Sequence, residues 1–347
     1  MKHFIIIASL LLSSCTSEDK SDISTPYWEQ DYPTFMGNNI PIVSRNPLTT
    51  EGVELGRMLF YDPILSADSS VSCASCHFLA LAFADGVALT NKGFSTNTLK
   101  RNSPALFNLA WHDGLFWEGG AIDVESQVAG PILDIDELGG DPQKMMERLN
   151  HSADYKARFQ KAFGKENIEI GDIAKAIAQF ERTIVSYQST YDQYKEGNAT
   201  LSTQELQGLH LYRAHCASCH TKGFFSDFDY HNNGLDSTFD FTAPEDIRWG
   251  RYRITLNEKD KGAYKTPSLR NIALTAPYMH DGRFTTLEEV LTHYSHGIVA
   301  SNTLDSSIPK QGFGFSSKEQ EDIIAFLHSL TDYQLITSPH YQNPFEQ

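Results

Sequence analysis

Two pentads, Cys73-Ala74-Ser75-Cys76-His77 and Cys216-Ala217-Ser218-Cys219-His220, hold the residues whose types and spacing point most directly to chemistry. Paired thiols followed at once by a histidine form the pattern of covalent haem c attachment. Two thiols one helical turn apart can each form a thioether to one vinyl of a single porphyrin. The next residue then offers an imidazole nitrogen to the iron. The competing reading is a zinc or redox Cys-x-x-Cys that precedes a histidine by chance. The chain contains five cysteines; the pentads consume all but Cys15, near the N-terminus. Identical pentads with no cysteine to spare fit a zinc site poorly and leave no pair for a structural disulfide. The sequence therefore predicts two covalently bound haem c groups.

Cys15 closes a short leader of its own. Met1-Lys2-His3 precedes an apolar run over 4–12 and then Ser13-Ser14-Cys15, the layout of a secretory signal. The run is too short to span a bilayer as a helix. Leu12-Ser13-Ser14-Cys15 resembles a bacterial lipobox, which favours a lipidated Cys15 over an ordinary signal peptide with an incidental cysteine. Residues 1–15 are read as a lipoprotein signal. The polar, acidic stretch 16–35 is read as a flexible tether. The expected location is the periplasm or cell envelope, with membrane contact only through the lipid. A net charge of −16 argues against nucleic acid as a partner. It would suit a donor that presents positive charge, although acidic surfaces more often serve solubility.

A chain of 347 residues has room for two cores, one to hold each pentad. Helical periodicity leads into each pentad. Residues 50–60 carry Val53, Leu55, Met58 and Leu59, and Ser202-x-x-Glu205 opens a helix with Leu206, Leu209 and Leu211. Ile170, Ile173, Ala174, Ile177, Phe180 and Ile184 form an apolar stripe. Shorter helices are predicted over 142–149 and 155–163. Ser316-x-x-Glu319 opens a last one bearing Ile323, Ile324, Phe326, Leu327 and Leu330. Polar loops fill 85–103 and 222–262, and strand alternation is rare. The prediction is a mainly α fold of two cytochrome c-like haem domains with long loops. The boundary is drawn at Lys195-Glu196-Gly197-Asn198, giving units 36–196 and 197–347.

Further motifs accompany the pentads. Leu55-Gly56-Arg57-Met58-Leu59-Phe60-Tyr61-Asp62-Pro63 precedes the first, and Arg101-Asn102-Ser103-Pro104, Phe116-Trp117-Glu118-Gly119 and Gln127-x-x-x-Pro131 follow it. After the second come Thr266-Pro267-Ser268-Leu269-Arg270-Asn271, Thr275-Ala276-Pro277-Tyr278-Met279-His280-Asp281-Gly282 and Thr286-Leu287-Glu288-Glu289-Val290. From about residue 40 to 335 this ordered set resembles the bacterial di-haem cytochrome c peroxidases and their MauG-type relatives. The resemblance implies that His77 and His220 bind the two irons. It implies an N-terminal peroxidatic haem with Glu137 as proton-transfer group, assisted by Gln127 and Pro131, and an electron-transfer C-terminal haem. Trp117 would lie between the porphyrins. A calcium ion would be held by the Asn102 side chain and the carbonyls of Thr275 and Pro277.

The sixth position of each iron separates the readings. In many di-haem peroxidases a removable histidine from the loop before Arg-Asn-Ser-Pro caps the N-terminal haem. Here no histidine lies between His77 and His112, and Phe94 or a near neighbour fills the matching place, so this haem is expected to stay open. For the C-terminal haem, Tyr294 and Met279 are both candidates. Tyr294 is favoured because it shares an inward helical face with Leu287, Val290 and Leu291 and matches the family's variable ligand position. The expected activity is reduction of hydrogen peroxide with electrons from a small cytochrome c or cupredoxin. One alternative is a MauG-type enzyme whose bis-ferryl haems oxidise residues of a partner protein. The other is a non-enzymatic electron carrier. The resemblance leaves room for a homodimer.

Overall fold

A computed structural model describes residues 32–37, 40–221, 223–239 and 247–346. The leader, Cys15 and most of the tether lie outside the described residues. The helices are α1 (Thr50–Tyr61), α2 (Val124–Leu133), α3 (Pro142–His151), α4 (Ala153–Phe163), α5 (Ile170–Thr183), α6 (Thr190–Lys195), α7 (Thr203–His215), α8 (Tyr252–Thr255), α9 (Leu287–Thr292), α10 (Ser317–His328) and α11 (Tyr333–Thr337). A single antiparallel pair, β1 (Tyr230–His231) with β2 (Tyr264–Lys265), is the only sheet among the described residues.

Each helix predicted from periodicity is present, with ends within a few residues of those expected. The capping boxes at Ser202 and Ser316 form with both arms, each serine accepting from the N–H of the glutamate three positions on. α2 was not predicted. Gly130 and Pro131 break its apolar pattern, and Pro131 removes one helical N–H near the end. Its start is signed by a reciprocal box between Asp123 and Ser126.

Two main hydrophobic cores result among the described residues, with a small third cluster around Tyr32, Met36 and Val185. The first runs from Val53 to Ile184 and is centred on α1 crossing α5; the second runs from Leu201 to Leu330 and is centred on α7 crossing α10. Both crossings depend on a glycine. A Cβ on Gly56 of α1 would lie 1.9 Å from the Ala176 carbonyl oxygen of α5, and one on Gly208 of α7 would lie 1.8 Å from that of Asp322 on α10. Only a residue without a side chain permits such approach.

Polar contacts brace the second core and join it to the first. Arg270, buried in the second motif region, makes a bidentate pair with Asp192 of α6 at 2.7 and 2.8 Å. Asn271 donates to Ser186 Oγ at 2.9 Å and accepts from the Asp332 N–H at 2.7 Å. These motif residues are therefore structural. The end of the chain then returns to the first core. Leu335 is buried there, Tyr341 Oη donates to the Thr183 carbonyl and Tyr61 Oη to the Tyr341 carbonyl, both at 2.5 Å.

Candidate active site

The first pentad opens the site as a short 3₁₀ turn, Cys73–Ser75, closed by a reciprocal box between Ser72 and Ser75. His77 follows, and its Nδ1 lies 2.7 Å from the carbonyl oxygen of buried Phe83. That carbonyl can only accept, so Nδ1 carries the proton and Nε2 is left to bind a metal. The second pentad repeats the device, with His220 Nδ1 3.0 Å from the Phe225 carbonyl. Burial holds both imidazoles below their usual pKa, that of His77 at about 4, which keeps them neutral. All four pentad cysteines are free thiols facing cavities. Free thiol pairs and oriented neutral imidazoles are what covalent haem c requires, so the residues fit that group at both places.

A cavity of about 60 Å³ adjoins the first pentad. Cys73, Cys76 and His77 line it, together with Gln127, Pro131 and Glu137. The structure thus brings together the peroxidatic set named from the sequence. Among the described residues, His77 is the only histidine on this wall, and neither methionine nor tyrosine joins it. Phe94 does not line it either: its N–H donates to the Glu137 carbonyl at 2.8 Å while its ring packs over Gly139.

Glu137 is turned inward by its neighbours. Asp136 Oδ1 accepts from Ser95 Oγ at 2.7 Å and Asn97 Nδ2 at 2.9 Å, which fixes the loop edge. Gly93 allows the chain to cross there, since a Cβ would lie 1.8 Å from the Asp136 carbonyl oxygen. Burial, reinforced by Asp134 and Asp136, pushes the Glu137 carboxyl up to about 7. Gln127 Oε1 is buried without a hydrogen-bond partner and offers an acceptor to a donor in the cavity.

Glu181 on α5 was missed. It lines the same cavity, its Oε2 is buried without a partner, and burial pushes its carboxyl up to about 8. In sequence it lies between Phe180 and Arg182 on a helix buried nearly all round, so an amphipathic pattern assigns it to solvent. Arg182 turns away from it to pair with Glu125.

A larger cavity, about 270 Å³, adjoins the second pentad. Tyr294 and Met279 both line it. Asn233 Nδ2 stands 3.4 Å from the Tyr294 hydroxyl and 3.4 Å from Met279 Sδ, so both candidate ligands meet at one amide. Burial pushes the Tyr294 hydroxyl up to about 12. The predicted inward face is present, but α9 ends at Thr292 and Tyr294 sits in a π turn, His293–Gly297. Such turns often occur at functional sites. Nothing in the sequence marks Asn233.

Trp117 lies on the wall of the larger cavity. Its Nε1 donates to the Asn102 carbonyl at 2.8 Å, and its own carbonyl accepts from the Lys265 N–H at 2.8 Å. Arg101 and Glu118 form an ion pair, so the Arg-Asn-Ser-Pro and Phe-Trp-Glu-Gly motifs hold each other in place. Trp111 and Trp249 are spent on packing, with Trp111 Nε1 on the Met36 carbonyl and Trp249 against Tyr252. Asn102, Thr275 and Pro277 share the same wall, and the Asn102 amide donates to the Val87 and Ala88 carbonyls. Cys219, Asp227 and His231 are close enough to hold an ion, but a thioether at Cys219 removes that option.

Comparison with known proteins places this geometry. A family model described as di-haem cytochrome c peroxidase matches residues 50–200. The methylamine utilization protein MauG of Methylorubrum extorquens is 36% identical over 296 residues, which cover 84% of this chain and 81% of the relative. The cytochrome c551 peroxidase of Nitrosomonas europaea is 33% identical over 309 residues, covering 87% of this chain and 88% of the relative. A crystal structure of a MauG-like protein associated with microbial copper homeostasis matches with a TM-score of 0.83 at 35% identity, over 92% of this chain and 99% of that one.

Proposed function

Because this chain belongs to the di-haem cytochrome c peroxidase family, we propose that it reduces hydrogen peroxide to water at the cavity holding His77, Gln127 and Glu137, with electrons from a small cytochrome c or cupredoxin. One observation supports this most: among the described residues the first cavity carries proton-handling groups and no second histidine, methionine or tyrosine. When bound through Cys73, Cys76 and His77, haem supplies the iron at which the O–O bond is broken.

The side chains supply the rest. Reduction of one peroxide consumes two protons and two electrons and yields two waters. Glu137, near half-protonation at neutral pH, takes the proton of one peroxide oxygen and returns it to the other. The Gln127 amide hydrogen-bonds the bound molecule, and Pro131 walls the cavity. Trp117 relays electrons between the two haem sites, and Tyr294 is the favoured second ligand at the C-terminal haem. Glu137→Gln is expected to lower kcat/KM for peroxide by about 10²–10⁴-fold with haem content unchanged. Turnover within a factor of three of wild type would remove Glu137 from the mechanism.

A second reading, MauG-type oxidation of a partner protein, is favoured by Tyr294 at the second site and by the open first one. Steady-state turnover with a reduced cytochrome c separates the two: fast turnover supports the peroxidase, slow turnover the modifier. Electron paramagnetic resonance of the oxidised protein tests the ligation. Tyr294→Phe should perturb the low-spin signal and Met279→Leu should leave it intact; the reverse outcome assigns the ligand to Met279.

Two finer features belong to this proposal. Cys15 carries a lipid that holds the enzyme in the periplasm or cell envelope, a reading supported by the lipobox-like Leu12-Ser13-Ser14-Cys15 that ends the leader. Oxygens of Asn102, Thr275 and Pro277 hold one calcium ion, the hard-donor set that suits it. Intact mass and metal analysis of protein purified from membranes would show neither lipid nor calcium if these are wrong.

A further inference from the structure

Lys265 is half-buried, and its ammonium faces neutral groups among the described residues. Its Nζ lies 3.1 Å from His112 Nδ1 and 3.3 Å from the Gly114 carbonyl oxygen. Burial alone pulls its pKa down to about 8, with no acidic neighbour acting against the shift. His112 is itself half-buried, held neutral by desolvation of its ring and by Lys265, and its ring lies against Phe228 at 4.3 Å between centroids. A desolvated ammonium with only neutral partners costs several kcal/mol unless a counter-charge completes it. Among the described residues none is provided at this point.

The location indicates what would. Lys265 and His112 line the larger cavity, with Cys216, Cys219 and His220 on the same wall. A porphyrin joined to Cys216 and Cys219 brings two propionate carboxylates into that cavity. Pro267, two positions after Lys265, also lines it, so β2 delivers the cation to the second haem's side. We propose that Lys265, oriented by His112, receives a propionate of the second haem and that its fixed positive charge raises that haem's reduction potential. Lys265 is a positioning residue, acting through the porphyrin carboxylate. A cation beside a haem favours the ferrous state, which carries one positive charge fewer than the ferric. Its N–H on the Trp117 carbonyl sets the same residue beside the expected electron route.

This inference rests on haem at the second pentad and not on peroxide turnover, so the two readings fail separately. The test is potentiometric titration of the holoprotein, each haem followed by its own spectrum and loading checked as the pyridine haemochrome. Lys265→Gln keeps a hydrogen-bond donor and removes the charge. It should shift the second haem's equilibrium toward ferric by about tenfold, or about 59 mV for a one-electron couple. Lys265→Arg should restore it. An unshifted second haem, or a shift confined to the first, overturns the proposal. Should Lys265→Gln fail to hold two haems, a crystal structure of the wild-type holoprotein decides. A propionate oxygen within about 3.2 Å of Nζ supports the assignment, and its absence there defeats it.

Discussion

Glu137 shows how a single inward turn converts an ordinary acid into a catalytic candidate. Asp134 and Asp136 beside it remain engaged at the surface, where Asp134 Oδ1 accepts from the Asp136 N–H at 2.8 Å. Burial first, then Asp134 and Asp136, raise the Glu137 carboxyl to about 7. A base must be ionised to act, so kcat/KM for peroxide should climb as pH rises through about 7. Asp134→Asn removes part of the repulsion and should move that limb to lower pH; an unmoved limb would assign it to another group. The stability sign is opposite. The folded state holds this proton above the usual carboxylate range, so its burial costs stability increasingly as pH rises from about 4.5 to about 7. The pentads, Gln127 and Glu137 were legible because local spacing or an ordered motif set marks them. Glu181, Asn233 and Lys265 were not, because each matters through neighbours distant in sequence.

At the scale of elements, the two glycine crossings carry the architecture. Gly56→Ala and Gly208→Ala each force a methyl group onto a backbone carbonyl and should destabilise by about 1–3 kcal/mol. The first should disturb the spectrum of the haem at His77 and the second that of the haem at His220, as followed by thermal unfolding at each Soret band. Equal disturbance of both haems by either change would contradict the separation of the cores. Helix positions were legible from apolar stripes and capping boxes such as Thr286 with Glu289. The π turn holding Tyr294 was not, since one widened turn leaves almost no trace in a periodic pattern. α2 was hidden by its own Gly130-Pro131 pair, although Pro131 lines the first cavity.

For the whole molecule, two cores were foreseeable from length and from paired helices leading into paired pentads. The return of the chain end was not, because Leu335 and Tyr341 sit beyond the last periodic helix in a stretch without pattern. Leu335→Ala should cost about 3 kcal/mol and loosen hydrogen-exchange protection of α1 and α5 more than of α7 and α10. Protection lost mainly in α7 and α10 would mean that the tail serves the second core instead. The tail contact also orders events in time. Synthesis proceeds from the N-terminus, so the residues that close the first core leave the ribosome after those of the whole second core. Cys73 and Cys76 therefore emerge long before their compartment can shut, and a chain stalled ahead of residue 333 would carry its first prosthetic group in a half-built wall.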